Sequence, residues 1–171
     1  MDQRDRNIIL VGMMGTGKST AGRLIAQELD YTFVDLDQEI EMAAGRPIAD
    51  IFASDGEPVF RDLESAMLEQ MCSRKGLVIA TGGGAVLRKE NCELMSRKGW
   101  VAALTAEIPA IVERVSGDRS RPLLSGGDLE ERVRRIMEER KECYSFAEVT
   151  VDTTGLSAHE VGREILMHYR V

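Results

Sequence analysis

A phosphate-binding loop near the amino terminus constrains this chain more than any other feature of its sequence. Residues 12–19 read Gly-Met-Met-Gly-Thr-Gly-Lys-Ser, which satisfies the pattern G-x-x-x-x-G-K-[ST]. The apolar residues 8–11 precede the loop and a helical pattern follows it, which is the strand–loop–helix context in which the motif binds phosphate. A glycine-rich turn that happens to precede a helix is the alternative. The context favours a nucleoside triphosphate as the ligand.

The residue types of the loop predict how it would hold the nucleotide. Its glycines let backbone N–H groups turn towards phosphate oxygens, and the helix that follows adds a partial positive charge. The Lys18 ammonium is expected to reach the β- and γ-phosphates, and the Ser19 hydroxyl is expected to ligate Mg²⁺. The predicted nucleotide-binding residues of this segment are Gly12, Gly15, Thr16, Gly17, Lys18, Ser19 and Thr20.

Length and composition narrow the class of protein. We expect a single domain over residues 1–171, because this length suffices for one sizeable core. The net charge of −7 argues against a nucleic-acid partner, which would need a basic face. Residues 2–6 are too charged for a signal peptide, and no apolar run approaches the roughly 20 residues of a membrane span. The three cysteines form no C-x-x-C pair, as expected of free thiols in a reducing cytoplasm.

Short apolar runs alternate with longer helical patterns, which favours an α/β fold with a parallel sheet and right-handed crossovers. Strands are predicted at residues 8–11, 32–34, 77–80, 101–104 and 149–151. Helices are predicted at about 18–29, 36–44, 58–73, 88–97, 107–115, 128–145 and 157–169. Two segments interrupt the alternation. Residues 36–62 insert an additional helical segment, and the glycine-bounded loop at 116–127 is typical of a moving lid.

Two aspartates at the end of the second predicted strand are candidate metal and substrate ligands. If the strand continues, Asp35 and Asp37 project to the same face, at the edge where parallel sheets bind ligands. An acidic helix cap at a solvated strand exit is the alternative. The strand at 77–80 is followed by Thr81 and not by the aspartate that many phosphate-loop enzymes use for magnesium. Asp35, directly or through water, is therefore the expected partner of Ser19 in holding Mg²⁺.

Glycines and arginines elsewhere in the chain suggest a second, anionic ligand. A triple glycine at 82–84 follows a strand, where backbone N–H groups can approach a substrate closely; an ordinary tight turn is the alternative. Arg140 lies on the apolar stripe of the helix at 128–145, so it needs an anion, either a core carboxylate or a bound substrate. Arg61 lies three residues before Glu64, which favours a surface ion pair. Its place in the inserted segment makes a substrate clamp the alternative.

Arg121 is the candidate lid residue. It precedes Pro122 within the loop at 116–127, where a guanidinium can fold over phosphates when the loop closes. Arg114 and Arg119 flank it and complete a small basic cluster in an acidic chain. An exposed loop charge without a function is the alternative for Arg121.

The ordered set of motifs resembles the shikimate kinase family, whose members phosphorylate shikimate in aromatic amino-acid biosynthesis. The resemblance extends from residue 7 to about residue 168, and its motifs together are far more specific than the phosphate loop alone. They lie at residues 12–20, 33–37, 51–64, 80–84, 121–124 and 140–144. The fold that the resemblance implies is the nucleoside-monophosphate-kinase-like α/β sandwich, with three layers and a five-stranded parallel sheet.

The resemblance also implies roles for individual residues. Arg61 and Arg140 correspond to the residues that grip the shikimate carboxylate, and Glu64 corresponds to the partner that orients Arg61. Asp37 corresponds to the residue that meets the ring hydroxyls, and Arg121 to the lid arginine that reaches ATP. The implied substrate-binding set, which includes two phenylalanine walls, is Asp37, Phe52, Phe60, Arg61, Gly82, Gly83, Gly84 and Arg140. The implied metal positions are Ser19 and Asp35. Residues 152–156 lack the arginine that family members often carry near adenine, so no adenine contact is predicted.

The activity that the resemblance implies is Mg²⁺-dependent transfer of the ATP γ-phosphoryl group to the 3-hydroxyl of shikimate, by a cytoplasmic monomer. Lys18 and Arg121 would act as catalytic residues by spreading the γ-phosphoryl charge with Mg²⁺, while Asp37 would hold the attacking hydroxyl and accept its proton. A kinase for another acceptor, such as gluconate or a nucleoside monophosphate, is one alternative. A nucleotide-dependent switch is the other, although the chain contains no Asn-Lys-x-Asp guanine signature.

Overall fold

A five-stranded parallel sheet forms the middle layer of the computed structural model, which describes residues 5–116 and 128–170. The strand order is β2-β3-β1-β4-β5, and every pair of neighbours is parallel. The strands are β1 (Asn7–Gly12), β2 (Thr32–Asp35), β3 (Leu77–Ala80), β4 (Gly99–Thr105) and β5 (Val149–Asp152). Parallel neighbours require crossover connections, which are the helices that the sequence places between the strands.

Eight α-helices flank this sheet within the described ranges. They are α1 (Lys18–Leu29), α2 (Leu36–Ala44), α3 (Ile48–Asp55), α4 (Glu57–Cys72), α5 (Lys89–Lys98), α6 (Ile108–Val115), α7 (Leu129–Arg140) and α8 (Ala158–Tyr169). Among these, none has the length and apolar character needed to cross a membrane. The predicted helices at 18–29 and 36–44 have the bounds that the structure gives to α1 and α2.

Strand β1 explains why helices cover both faces of the sheet. Its Ile8 and Leu10 belong to the apolar core formed with α1 and α8, whereas Ile9 and Val11 belong to the core formed with α4 and α5. All four side chains are fully buried, because successive residues of a strand point to opposite faces. The predicted three-layer sandwich with a five-stranded parallel sheet is confirmed.

The inserted segment is helical, as predicted, but the sequence analysis gave no separate bounds for the helix α3 within it. Helix α3 has only eight residues and begins after Pro47, whose φ of −63° suits a helix start. Ile48, Ile51 and Phe52 stand at the spacing of one helical face, and this pattern was the available signal. The Glu41 carboxylate accepts a hydrogen bond from the Ile48 backbone N–H at 3.3 Å, so α2 helps to fix the start of α3.

The prediction of one continuous helix over 128–145 is wrong in its last third. Helix α7 ends at Arg140, whose φ of −102° and ψ of 0° leave the α-helical region, and a 3₁₀ turn follows at Lys141–Tyr144. Val133 and Arg140 are both buried, so the inward stripe of the helix is as the sequence indicated. The tighter turn brings the Tyr144 hydroxyl to 3.4 Å from the Gly83 carbonyl oxygen, to which it donates.

The predicted lid lies almost entirely outside the described residues. Residues 117–127, which include Arg119 and Arg121, are not among the described residues. Its boundaries are described: α6 ends at Val115, and the Asp128 side chain caps α7 by accepting a hydrogen bond from the Glu130 N–H at 3.0 Å. The lid function of Arg121 stays a prediction.

Candidate active site

A cleft of about 620 Å³ lies where the carboxyl ends of β1, β2 and β3 meet the inserted segment. Parallel sheets bind ligands at this edge because the loops that follow the strands converge there. The predicted site residues that line the cleft are Gly15, Gly17, Lys18, Ser19, Thr20, Asp35, Asp37, Phe52, Phe60, Arg61, Gly82, Gly83, Gly84 and Arg140. Gly12 and Thr16 do not line it. The Thr16 side chain is fully buried and donates to the Met13 carbonyl oxygen at 2.7 Å, which closes the loop from within.

The phosphate loop owes its shape to glycine. Gly15 and Gly17 have φ values of 76° and 92°, a region that residues with a side chain adopt at a cost. Gly17 immediately precedes α1, so the loop ends at the positive end of that helix. The Lys18 ammonium donates to the carbonyl oxygens of Gly12 at 2.7 Å and Met13 at 3.0 Å. The lysine thus lies across the loop, where a bound phosphate chain would be within its reach.

Ser19 and Asp35 are in contact beside this loop. The Ser19 hydroxyl donates to Asp35 Oδ2 at 3.0 Å, while Asp35 Oδ1 accepts a hydrogen bond from the Gln38 N–H at 3.2 Å. Asp35 therefore caps α2, as the alternative interpretation of this residue required, and also faces the phosphate loop. The described residues contain no group of three or more His, Cys, Asp and Glu side chains that could hold a metal. A metal here would rely on two protein oxygens together with water and phosphate oxygens, which is the usual coordination of Mg²⁺.

Asp37 lies at the predicted edge of the sheet, but the argument that it shares a strand face with Asp35 is wrong. Strand β2 ends at Asp35, so Asp37 lies in the first turn of α2 and the two carboxylates do not share a strand face. The strand stops because Asp35 serves as the N-cap of the helix. Asp37 nevertheless lines the cleft, because α2 starts at its rim.

Arg61 and Glu64 form a buried ion pair, which corrects the interpretation of a surface pair. Arg61 Nη1 donates to Glu64 Oε1 at 2.9 Å, and the two side chains are 9% and 1% exposed. The Arg61 guanidinium also lies 5.2 Å from the centre of the Phe60 ring. Phe60 in turn packs on Phe52, with ring centres 4.9 Å apart. The two phenylalanines form an apolar wall of the cleft beside the ion pair.

Arg140 and Glu64 each present a buried polar atom that has no hydrogen-bond partner among the described residues. These atoms are Arg140 Nη1 and Glu64 Oε2. Burial raises the pKa of Glu64, and the nearby positive charges of Arg61 and Arg140 oppose that shift. Burial likewise lowers the pKa of Arg140. Since a buried polar atom without a hydrogen-bond partner is costly, the arrangement favours a polar ligand in this part of the cleft.

The triple glycine at 82–84 forms a turn that lies very close to four charged side chains. A Cβ atom on the third glycine would overlap the guanidinium of Arg61. On the second glycine it would lie 3.1 Å from Arg140 Nη1, and on the first it would lie 2.8 Å from Asp37 Oδ1 and 3.0 Å from Glu64 Oε2. The missing side chains let two arginines and two carboxylates approach one short stretch of backbone.

Replacing Gly84 with alanine should weaken binding of a carboxylate ligand, because the new methyl group would displace the Arg61 guanidinium. We expect the dissociation constant of a small carboxylate ligand to rise by about 10-fold or more, the size of one charged hydrogen bond. Calorimetric titration would measure it. Gly162→Ala in α8 is the matched control, because a Cβ there meets its nearest atom, Ile25 Cγ1, at an ordinary 3.6 Å. An unchanged dissociation constant in the Gly84 variant would contradict the prediction that Arg61 binds the ligand.

Sequence reasoning gave Arg114 no function of its own, although the residue lines the cleft. Its Nη1 donates to the Gly15 carbonyl oxygen at 2.9 Å and to Thr153 Oγ1 at 3.1 Å, and its Nη2 donates to the Thr153 carbonyl oxygen at 3.2 Å. Thr153 Oγ1 itself donates to the Thr16 carbonyl oxygen at 2.9 Å. Arg114 therefore ties the phosphate loop to the segment after β5. The signal for it was weak, because these partners lie far away in the sequence.

Comparisons with known proteins agree on one family. A family model described as shikimate kinase matches residues 14–170. A shikimate kinase from Persephonella marina is 44% identical over 165 residues, covering 96% of this chain and 99% of that protein. One from Thermodesulfovibrio yellowstonii is 42% identical over 164 residues, covering 96% and 95%. The solved structure of the Acinetobacter baumannii shikimate kinase in complex with shikimate superposes with a TM-score of 0.93 at 38% identity, covering 95% of this chain and 91% of that one.

Proposed function

The chain belongs to the shikimate kinase family and is thereby an ATP-dependent kinase that phosphorylates shikimate, and we propose that the cleft described above is where its two substrates meet. One observation carries the proposal of the site. The phosphate loop and a buried pair of arginines, Arg61 and Arg140, line the same cleft. A triphosphate and a small carboxylate would thus bind side by side.

The donor half of the site comprises the phosphate loop, Ser19 and Asp35. Backbone N–H groups of the loop and the ammonium of Lys18 would hold the β- and γ-phosphates. Ser19 and Asp35 would hold Mg²⁺, and the hydrogen bond between them at 3.0 Å supports this because it brings two oxygen ligands together beside the loop. When bound, the metal would neutralise phosphate charge and orient the phosphate chain.

The acceptor half comprises the two arginines, Asp37 and the triple glycine. Arg140 Nη1, buried and without a partner among the described residues, is suited to a carboxylate oxygen, and Arg61 would grip the same carboxylate. Glu64 would hold Arg61 in place through their 2.9 Å hydrogen bond. Phe52 and Phe60 would pack against the apolar side of the ring, and the backbone at 82–84 would approach its polar side.

The reaction needs positioning and charge stabilisation more than covalent chemistry from the protein. The 3-hydroxyl oxygen of shikimate attacks the γ-phosphorus, the bond from that phosphorus to the β–γ bridging oxygen breaks, and ADP leaves. The proton of the hydroxyl passes to the carboxylate of Asp37. Lys18 stabilises the charge that develops on the transferred group, and Arg121, which lies outside the described residues, would do so from the lid.

An assay of ADP release with a panel of acceptors tests the proposed activity. We expect turnover with shikimate and little above the background of ATP hydrolysis with gluconate or a nucleoside monophosphate. Two arginines beside one aspartate suit a small polyol carboxylate better than a nucleotide. The wall formed by Phe52 and Phe60 suits the apolar side of a ring, which the open chain of gluconate lacks. Turnover with another acceptor and none with shikimate would overturn the proposal.

Replacing Arg140 with alanine should raise the KM for shikimate by about 10- to 100-fold, because it removes a charged hydrogen bond to the carboxylate. Arg140→Lys should recover only part of the loss, since an ammonium lacks the planar fork of the guanidinium. Arg135→Ala removes the same charge from an exposed position of α7 and serves as the control. A KM equal to that of the unmodified enzyme would exclude Arg140 from substrate binding.

We also propose that the enzyme acts as a monomer in the cytoplasm, with ATP and Mg²⁺ as donor and cofactor. The described residues of one chain supply both halves of the cleft, so a second copy is not needed to complete it. Cys72, Cys92 and Cys143 are free thiols, which suits a reducing compartment. Sedimentation at assay concentrations would test the oligomeric state.

A further inference from the structure

Two carboxylates share the guanidinium of Arg61. Glu64 Oε1 accepts from Nη1 at 2.9 Å, whereas Glu57 Oε1 accepts from Nη2 at 3.2 Å and from Nε at 3.4 Å. An arginine has five N–H donors in a fixed fork, and the two acids accept hydrogen bonds from three of its nitrogens. Arg61 is therefore already engaged by anions on the protein before any substrate carboxylate reaches it.

The two carboxylates differ in how firmly they are held. Glu64 is 1% exposed and lines the cleft, so it cannot leave Arg61 without burying an unpaired charge. Glu57 is 44% exposed and lies in the first turn of α4. An ion pair exposed to this degree contributes little free energy, because water replaces the partner at small cost. Glu57 is thus the partner that Arg61 can exchange.

The charges around Arg61 give a reason for such an exchange. The cleft is lined by four basic and four acidic side chains, and Glu57, which does not line the cleft, adds a further carboxylate in contact with Arg61. A substrate carboxylate that enters the cleft is repelled by these acids. Asp37 is assigned to the reaction and Glu64 is buried, which leaves Glu57 as the acid whose withdrawal relieves the repulsion.

We propose that Glu57 is a positioning residue that sets the affinity for the acceptor: it holds Arg61 in the free enzyme and gives it up to the substrate carboxylate. The inference rests on the proposed function, because it takes Arg61 as part of the shikimate site. When the product leaves, Glu57 takes Arg61 back and so competes with the departing carboxylate. The charge of Glu57 therefore makes both substrate and product bind more weakly than the two arginines alone would allow.

Glu57→Gln separates the charge of this residue from its geometry. Both hydrogen bonds from Arg61 reach the same oxygen, Oε1, and the amide oxygen of glutamine can accept both in the same way. We expect the variant to bind shikimate about three- to tenfold more tightly by calorimetry, as for loss of one screened charge near the site. Asp62→Asn is the matched control, since it removes a 73% exposed carboxylate of α4 that pairs with Arg88.

The charge of the ligand provides a second measurement, which a merely structural role of Glu57 would not affect. The methyl ester of shikimate keeps the ring hydroxyls and lacks the negative charge. The Glu57→Gln variant should bind this ester no more tightly than the unmodified enzyme does. The melting temperatures of Glu57→Gln and Asp62→Asn verify that both variants keep the fold, which matters because Glu57 is an acid in the first turn of α4.

Three outcomes decide the matter. Tighter binding of shikimate but not of its ester supports the inference. Equal or weaker binding of shikimate by Glu57→Gln overturns it and makes Glu57 a simple support of Arg61. Arg61→Ala tells the two proposals apart. If this variant binds shikimate normally, the proposed substrate site is wrong. If it binds shikimate weakly while Glu57→Gln binds it with unchanged affinity, only the role of Glu57 is rejected.

Discussion

Lys18→Met should reduce kcat by about 10³-fold, the largest loss that we expect from one substitution in the donor half of the cleft. The substitution keeps an unbranched apolar side chain, one atom shorter, and removes the ammonium. In the structure this ammonium donates to the carbonyl oxygens of Gly12 and Met13 at 2.7 and 3.0 Å. It would transfer from these neutral oxygens to the phosphates, where negative charge develops during the reaction.

The loss in kcat should exceed the loss in ATP binding. Backbone N–H groups of the loop hold the phosphates in the ground state and are unaffected by the substitution, whereas the positive charge acts most strongly on the transition state. Single-turnover rates and calorimetric binding of a non-hydrolysable ATP analogue would measure the two effects separately. Lys89→Met, at a side chain 86% exposed on α5, removes an ammonium far from the loop and is the control. A kcat within tenfold of the unmodified enzyme would contradict the assignment of Lys18.

The elements that the sequence predicts best are those with local causes. The phosphate loop, its strand and its helix follow from a contiguous motif, and β3 has the predicted bounds, residues 77–80, because it is a continuous apolar run between turns. The bounds of helix α3 escaped prediction because eight residues offer only two turns of periodicity. The start of α2 at Leu36 depends on whether Asp35 caps a helix or extends a strand, and both suit an aspartate.

The candidate site was predictable in its residue types and less so in its contacts. The inward position of Arg140 follows from helical spacing, and the structure buries the residue. Spacing alone favoured a surface pair for Arg61 and Glu64, because i,i+3 neighbours do not reveal what covers them. Burial comes from Phe60, the residue before Arg61, and from the close approach of the glycines at 82–84, which are distant in the sequence. Long-range neighbours of this kind are what one sequence does not specify.

Asp37→Asn should lower kcat by about 10²- to 10⁴-fold, the usual contribution of a general base. The asparagine side chain has nearly the same shape and can still accept a hydrogen bond from a shikimate hydroxyl, so we expect the KM for shikimate to change little. Asp50→Asn, at an exposed position in the first turn of α3, removes a carboxylate from the same inserted segment and is the control. A decrease in kcat of less than about fivefold would reduce Asp37 to a positioning residue, because the general-base contribution would then be missing.

The pH dependence of the rate distinguishes a base from a group that only positions the hydroxyl. A general base must be deprotonated to act, so kcat/KM of the unmodified enzyme should fall as the pH is lowered, and Asp37→Asn should lose this acidic limb.

Glu64 faces the same cleft, and burial raises its pKa, so protonation of Glu64 would also lower the rate at acidic pH by weakening its pairing with Arg61. Glu64→Gln resolves the two contributions. The Glu64→Gln variant should alter the KM for shikimate and keep the decrease in rate at acidic pH that is due to Asp37. If that decrease instead persists in Asp37→Asn and disappears in Glu64→Gln, the titrating group is the buried ion pair and not Asp37.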